Sequence, residues 1–194
     1  MKNMARIFIL MVGLLVNVAV ASAQDGRSTT KPEKKSTREA ELRKQKEAVQ
    51  DSINYVEAVA ALDNLDFVLE ADVLNFERGG TAFVSSTTNF VSLSDDEAVV
   101  QIAPYNVGGL NDIGGITVEG RAFDIKKSTS KKGDIYFSMS VQGNGISAVV
   151  DVSLPKGTNR ASVTISPNFN SNRITLSGVL VPSSSSNVFR SASF

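Results

Sequence analysis

The feature that most constrains this chain is an alternation of apolar and polar residues that continues through most of its second half. Successive side chains of a β-strand point to opposite faces, so a period of two indicates strands with one buried and one solvated face. Five runs from residue 66 onward have this period. Their apolar positions are Phe67, Leu69, Ala71 and Val73; Ile135, Phe137, Met139 and Val141; Ile146, Ala148, Val150, Val152 and Leu154; Ala161, Val163 and Ile165; and Ile174, Leu176, Gly178 and Leu180.

Short polar turns separate these runs. They fall at residues 77–80, 94–97, 131–134, 143–145 and 156–159, and they are rich in Gly, Asn and Asp. Such short connections make neighbouring strands antiparallel. The pattern therefore predicts a curved antiparallel β-sheet or half-barrel of about eight or nine strands. Between Ile116 and Ile125 the apolar set changes face, which predicts a β-bulge at Gly120.

A helix is predicted before the sheet, over residues 37–62. Ser36 and Glu39 have the spacing of a capping box, which satisfies two backbone donors at a helix start. One face carries an apolar stripe of Leu42, Val49, Ile53, Val56 and Ala60. We expect this stripe to pack on the domain's own sheet, which gives an α+β fold with an N-terminal amphipathic helix. A partner-binding or membrane-surface helix is the alternative.

The first 23 residues have the three parts of a secretory signal peptide. Lys2 and Arg6 precede an apolar run over residues 7–20, and Ala21-Ser22-Ala23 forms a cleavage site. The run is about 14 residues, short of the roughly 20 that a membrane span requires. We therefore expect export to the periplasm or beyond, with cleavage after Ala23 and no permanent membrane span afterwards.

The composition of the flanks limits the domain to residues 37–182. Residues 24–36 are polar and contain no large apolar side chain, which is typical of a flexible leader. Residues 183–194 form a low-complexity tail, which we expect to be loose. The formal net charge is +0 at pH 7, which does not favour nucleic acid as a partner.

The composition also excludes several kinds of chemistry. The chain has no His and no Cys, so Ser-His-Asp and Cys-His catalysis, the usual zinc sites and disulfides are all excluded. No phosphate-binding or dinucleotide-binding glycine motif is present. We therefore expect no cofactor, no metal site and no catalytic residues. Asp124 and Asp134 remain as a pair for carboxylate-type hydrolysis, and residues 95–97 as a calcium turn; we interpret both as exposed charges.

The segment over residues 103–116 is the best candidate for a binding site. It is long, rich in glycine and unusually apolar for a loop. If it covers one mouth of a curved sheet, it acts as a ligand lid; the alternative is that it folds back onto the core. The predicted ligand-binding residues are Tyr105, Val107, Leu110 and Ile113.

Several short motifs resemble the exported bacterial family labelled domain of unknown function 4251. They are residues 67–71 (FVLEA), Pro104-Tyr105, Gly114-Gly115-Ile116, residues 171–175 (SNRIT) and Gly178. The resemblance spans about residues 38–182. The chain departs from the family pattern at Ala103 and Leu176 and lacks the lipoprotein Cys that the family often has. The resemblance implies an exported domain with these limits, but the family has no assigned activity.

Three functions remain open. The first is a non-enzymatic cell-envelope protein that binds an unknown small ligand, apolar or amphipathic, or a protein partner on its curved sheet. The second is a structural or protein-interaction module that uses exposed strand edges. The third is a carboxylate-type hydrolase.

Overall fold

The computed structural model describes residues 33–77, 79–103, 116–143, 146–168 and 173–189. The described residues from 40 onward belong to one compact unit. Within these described ranges one helix precedes nine strands, and a single 3₁₀ turn follows them. Their bounds are α1 Glu33–Asp63, β1 Asp66–Phe76, β2 Thr81–Phe83, β3 Phe90–Ser94, β4 Glu97–Ile102, β5 Ile116–Thr129, β6 Ile135–Gly143, β7 Ile146–Leu154, β8 Arg160–Pro167, β9 Ile174–Pro182 and the 3₁₀ turn Ser183–Ser185.

The strands form a closed antiparallel barrel. Apart from β2 they pair in chain order from β3 to β9, and β1 pairs with β3 on one side and β9 on the other. Eight strands thus close the barrel, while β2 is an additional strand on β1. The antiparallel pairing and the strand number are as predicted, but the half-barrel is wrong. A half-barrel would leave the backbone N–H and C=O groups of its two edge strands exposed. Closure pairs these two strands with each other.

Glycine allows the barrel to close where β9 meets β1. A Cβ atom added to Gly178 would lie 1.9 Å from the carbonyl oxygen of Glu70, so only glycine fits where β9 pairs with β1. On the outer face, the guanidinium of Arg160 on β8 reaches across to Asp72 on β1 through hydrogen bonds of 3.0 and 2.8 Å. The hydrogen bond to Asp72 raises the pKa of Arg160.

Two irregularities in strand pairing bend the sheet. One lies in β5 between Phe123 and Lys126, where Asp124 has a φ of 51°. The bulge predicted at Gly120 is therefore four residues away from its expected position. Gly120 instead allows close approach to β6, because a Cβ there would lie 2.7 Å from the carbonyl oxygen of Gln142. Because alternation continues without a break up to the bulge, Phe123 lies on the outer face beside the buried Ala122 and is 44% exposed.

The second irregularity lies in β1 between Ala71 and Val73. It interrupts the alternation, so that Leu74 is fully buried in the core while Val73 is only half-buried. The sequence pattern had assigned Val73 to the buried face, because a uniform period of two takes no account of an inserted residue. Bulges increase the local twist of a strand, which favours closure.

The C-terminal part of α1 contributes to the core. Ala58, Ala61 and Leu62 are buried in the same cluster as the inward side chains of the strands. Beside them the rings of Phe67 and Phe137 pack edge to face, with centroids 5.5 Å apart. This packing fills the end of the barrel where α1 meets β1, which we call the helix end.

Most of α1 does not pack as the sequence predicted. Residues 38–53 are exposed throughout, and the apolar stripe at Leu42, Val49, Ile53 and Val56 remains 47 to 61% exposed. The helix also begins at Glu33, before the predicted capping box. The expectation that the stripe packs on the sheet was wrong, because the buried side chains near the helix C-terminus lie on another face.

A second, smaller apolar cluster lies on the outside of the barrel. It consists of Val68, Phe90 and Val99, with Val181 and Val188 packed against it. Residues 183–189 follow this surface, and their hydrogen bonds include one from the Ser186 hydroxyl to Glu70 at 2.7 Å. These contacts were not expected of a loose tail.

Candidate functional site

A cavity occupies the inside of the barrel at the end away from α1, which we call the open end. Its walls come from the ends of β4, β6 and β8 and from the beginnings of β5, β7 and β9, which meet at this end because the strands are antiparallel. Nine residues line it: Val100, Ile102, Val118, Val141, Ala148, Val150, Ile165, Pro167 and Ile174.

The part of the lining that belongs to described residues is entirely hydrocarbon. All nine lining residues are aliphatic, and no polar atom contributes to the exposed lining. The cavity has a volume of about 80 Å³. A single water needs about 10–15 Å³, so the space is several waters in size, yet the described lining offers water no hydrogen bond. It suits a narrow apolar group.

The strand pattern explains why these side chains face inward. Val141, Ala148 and Val150 lie on the buried face predicted by alternation, and all three are at least 95% buried. Ile174 and Val118 lie nearer the mouth and are only half-buried. The described lining therefore contains both fully buried and partly accessible side chains.

Polar contacts at the mouth hold the strand ends in place. Asn168 follows the last lining residue of β8, and its amide nitrogen donates a hydrogen bond of 2.6 Å to the Ser147 hydroxyl. On the other side, the backbone N–H of Arg173 donates to the Glu77 carboxylate at 3.0 Å. These groups lie outside the hydrocarbon lining, where a polar part of a ligand would meet solvent.

The predicted binding residues Tyr105, Val107, Leu110 and Ile113 lie outside the described residues. The strands on either side of them do end at the cavity, since Ile102 is a lining residue and pairs with Ile116. Beyond Ile102, the backbone N–H of Ala103 donates a hydrogen bond of 3.0 Å to Asn89.

The two carboxylates considered for hydrolysis lie at different places on the barrel. Asp124 lies exposed at the β5 bulge, whereas Asp134 lies in the turn between β5 and β6. The Asp134 carboxylate accepts hydrogen bonds from the Ser130 hydroxyl and from the backbone N–H of Lys156. Asp134 therefore stabilises turns, and neither residue lines the cavity.

The acidic turn at residues 95–97 is likewise occupied by protein contacts, because Arg121 donates a hydrogen bond of 2.9 Å to Asp96. Within the described part of the chain no three acidic side chains are arranged to hold a metal ion. In the same residues, no helix combines the length and the apolar composition that crossing a membrane demands.

Together these features define an eight-stranded antiparallel barrel with a filled helix end and an apolar cavity at its open end. The family described as "Domain of unknown function (DUF4251)" matches residues 49–180, and the chain belongs to this family. The resemblance noted in the sequence is thereby confirmed.

A crystal structure of a DUF4251 family protein from Bacteroides eggerthii is similar to this chain. The two share 50% sequence identity with a TM-score of 0.67, over 76% of this chain and 99% of the other. No curated protein matches the chain.

Sequence reasoning identified most of the wall residues as inward-facing but did not predict the cavity. Alternation gives the direction of a side chain, whereas a cavity depends on whether opposite walls meet. The available signal was size, because the lining residues that the structure describes are all Val, Ile, Ala or Pro. Among the same described residues, the fully buried phenylalanines Phe67, Phe90 and Phe137 lie elsewhere.

Proposed function

We propose that this chain is an exported, non-enzymatic binding protein that holds the hydrocarbon part of an apolar or amphipathic ligand in the open end of its barrel. The observation that carries the proposal is the lining of the cavity, which is aliphatic at all nine positions. Ligand pockets are mostly apolar and concave, and barrel mouths are a common place for them.

The chemistry of the lining limits the ligand. A polar group placed inside would lose its hydrogen bonds to water and gain none from the walls, which is costly. The buried part must therefore be hydrocarbon, while any head group stays at the mouth near Ser147, Asn168 and Glu77. The narrow space favours a single alkyl chain over a fused ring system.

The closed barrel supports this proposal over the alternative of strand addition. Among the described strands only β2 has a single neighbour, and it is three residues long. An edge this short offers a partner strand few backbone hydrogen bonds. The carboxylate hydrolase receives no comparable support, since Asp134 is engaged in turn contacts.

Export is part of the proposal and rests on the N-terminal sequence. Residues 1–23 carry the charged, apolar and small-residue parts of a signal peptide. Mass spectrometry of the protein recovered from its native host tests this directly. We expect the mature chain to begin at Gln24 and to be found outside the cytoplasm.

Binding is tested by titrating the chain with dansyl-undecanoic acid and following the dansyl fluorescence, then displacing the probe with unlabelled fatty acids of graded length. The chain has no Trp, so the probe itself supplies the signal. We expect saturable binding that Ala148→Phe weakens at least about tenfold, because the ring fills the space that the alkyl chain would occupy.

Val149→Phe is the matched control, since Val149 is the next residue of β7 and points to the outer face. It should leave probe binding unchanged. Thermal unfolding of both variants separates a filled cavity from a misfolded barrel. A folded Ala148→Phe variant that binds as tightly as the unmodified chain, or an unmodified chain that binds no probe, would refute the proposal.

A further inference from the structure

The exposed apolar stripe of α1 has the spacing of a coiled-coil seam. Leu42 and Val49 are seven residues apart, and Ile53 and Val56 continue the series at intervals of four and three. This spacing averages 3.5 residues, which is the repeat of two helices that pack along each other. We call Leu42, Val49, Ile53 and Val56 the seam.

The seam faces away from the side chains that enter the barrel. Its members are 53, 61, 47 and 54% exposed, in chain order, whereas Ala58 and Leu62 are buried. Residues on the two faces therefore have different contacts. The barrel uses one face of the helix, and the seam remains accessible to another molecule.

Charge argues that this molecule is not a membrane. Residues 38–63 contain four basic and six acidic side chains, which gives a net charge of −2. Helices that lie on anionic membranes are rich in Lys and Arg along their polar face. A narrow seam of this kind, flanked by both signs of charge, is typical of helix–helix pairing.

Residues that lie between the members of the seam, and beside them, favour a second copy of this chain in antiparallel orientation as the partner. Lys46 occupies a core position of the repeat. In a parallel pair it would face its own copy, so two like charges would meet at the centre of the contact. In an antiparallel pair centred on Asp51, Lys46 instead faces Val56 of the second copy, and Val49 faces Ile53.

The same antiparallel register matches charges at the flanks. Arg43, Gln50 and Glu57 are spaced by seven residues, so they occupy the same flanking position of the repeat. In an antiparallel pair such positions lie opposite each other, which brings Arg43 beside Glu57 of the second copy. The two-fold symmetry gives this contact twice. Gln50 then lies opposite itself near the two-fold axis. Opposite charges that flank a helix pair favour the orientation that joins them.

We propose that this chain forms an antiparallel homodimer through the seam, with Arg43 and Glu57 paired across it. Only a few turns of helix are in contact, which is less than the roughly 800 Å² per partner of a standard stable interface. The dimer should therefore be concentration-dependent. The proposal is independent of ligand binding at the open end.

A charge exchange tests the pairing by sedimentation of the chain over a range of concentrations. Arg43→Glu and Glu57→Arg should each weaken association about threefold or more, and the double variant should restore it. Lys44→Glu is the control, because it makes the same change in charge at a position away from the seam, and it should leave association unchanged. If the double variant associates no more strongly than the single variants, the proposed pairing of Arg43 with Glu57 is overturned.

Cross-linking tests the orientation, because the chain has no native Cys. A short bis-maleimide should join two copies of Gln50→Cys efficiently and two copies of Leu42→Cys poorly, since residue 42 lies far from its own copy in the antiparallel pair. The reverse result would indicate a parallel pair and overturn the proposal.

Two further outcomes would also overturn it. One is a chain that stays monomeric at all accessible concentrations. The other is a monomer that binds anionic lipid vesicles and loses that binding in Val49→Asp. All substituted positions are exposed, and thermal unfolding will show that each variant keeps the barrel.

Discussion

Apolar side chains line both ends of the barrel, but the two ends differ in how the space between the walls is filled. At the helix end, Leu62, Phe67 and Phe137 are almost completely buried. At the open end, smaller residues such as Ala148 and Val150 leave a cavity. Side-chain size and the presence of α1, more than polarity, therefore separate the filled end from the hollow one.

The largest expected effect comes from emptying the helix end. Phe137→Ala removes a buried ring that packs against Phe67, and we expect it to lower the free energy of unfolding by about 4 kcal/mol. Urea unfolding measures the change. Tyr136→Ala, at the next residue but on the outer face, serves as the control and should cost far less. Equal losses for the two variants would show that the helix end is not tightly packed.

The pairing of β1 with β9 runs between the two ends of the barrel, and Gly178 lies where the two backbones are in close contact. We expect Gly178→Ala to cost about 2–3 kcal/mol, because a Cβ atom there overlaps the β1 backbone and the strands must separate. Ser177→Ala, on the outer face of the same strand, should be nearly neutral. Unfolding curves for the two variants give the comparison, and a neutral Gly178→Ala would mean that the strands are not in close contact.

Adding the same two methyl groups at each end tests the difference in filling most directly. Ala161 and Ala148 are both buried strand residues with inward side chains, at 5% exposure each. Ala161→Val should cost about 1–3 kcal/mol by overpacking. Ala148→Val should change stability by less than about 1 kcal/mol, because the added groups enter the cavity. Thermal unfolding of the two variants measures the difference. Equal losses of stability would contradict the contrast between a filled helix end and a hollow open end.

The smallest expected effect concerns the outer face. Arg160 on β8 and Asp72 on β1 form an exposed ion pair. Arg160→Ala should cost at most about 1 kcal/mol, and added salt should reduce the difference from the unmodified chain. Measuring unfolding at low and high salt checks both points. A larger loss that salt does not change would indicate that the pair contributes to closure through packing.

Much of the strand content was predictable because alternation is a local signal. The inward residues of β6 to β9, such as Met139, Val152 and Leu176, are buried as expected. The turns were equally explicit: Gly133 and Gly157 have the positive φ angles of 95 and 82° that glycine accommodates in short turns. Local chemistry was sufficient for these elements.

Closure and the position of α1 could not be derived in this way. The pairing of Phe67 with Pro182 joins residues that are distant in sequence, and no local pattern encodes it. For the helix, the seam at Leu42 and Val49 is apolar whether it meets the sheet, a second chain or solvent. Periodicity identifies such a face but does not specify what covers it.

The candidate site was predictable only in its wall directions. Val141 and Ile165 were assigned inward, which is confirmed, but the predicted binding loop with Tyr105 and Leu110 falls outside the described residues. A cavity is the difference between the volume that a barrel encloses and the volume of its side chains. That difference depends on closure, which the sequence pattern left open.

Pairing of the first long strand with the last one has a consequence for how the chain folds. The barrel cannot close until β9 has been synthesised, about 100 residues after β1. Loops of this length are slow to form, so the transition state is expected to depend on long-range contacts between β1 and β9. A nascent chain that still lacks β9 therefore leaves the side of β1 that pairs with β9 without a partner strand.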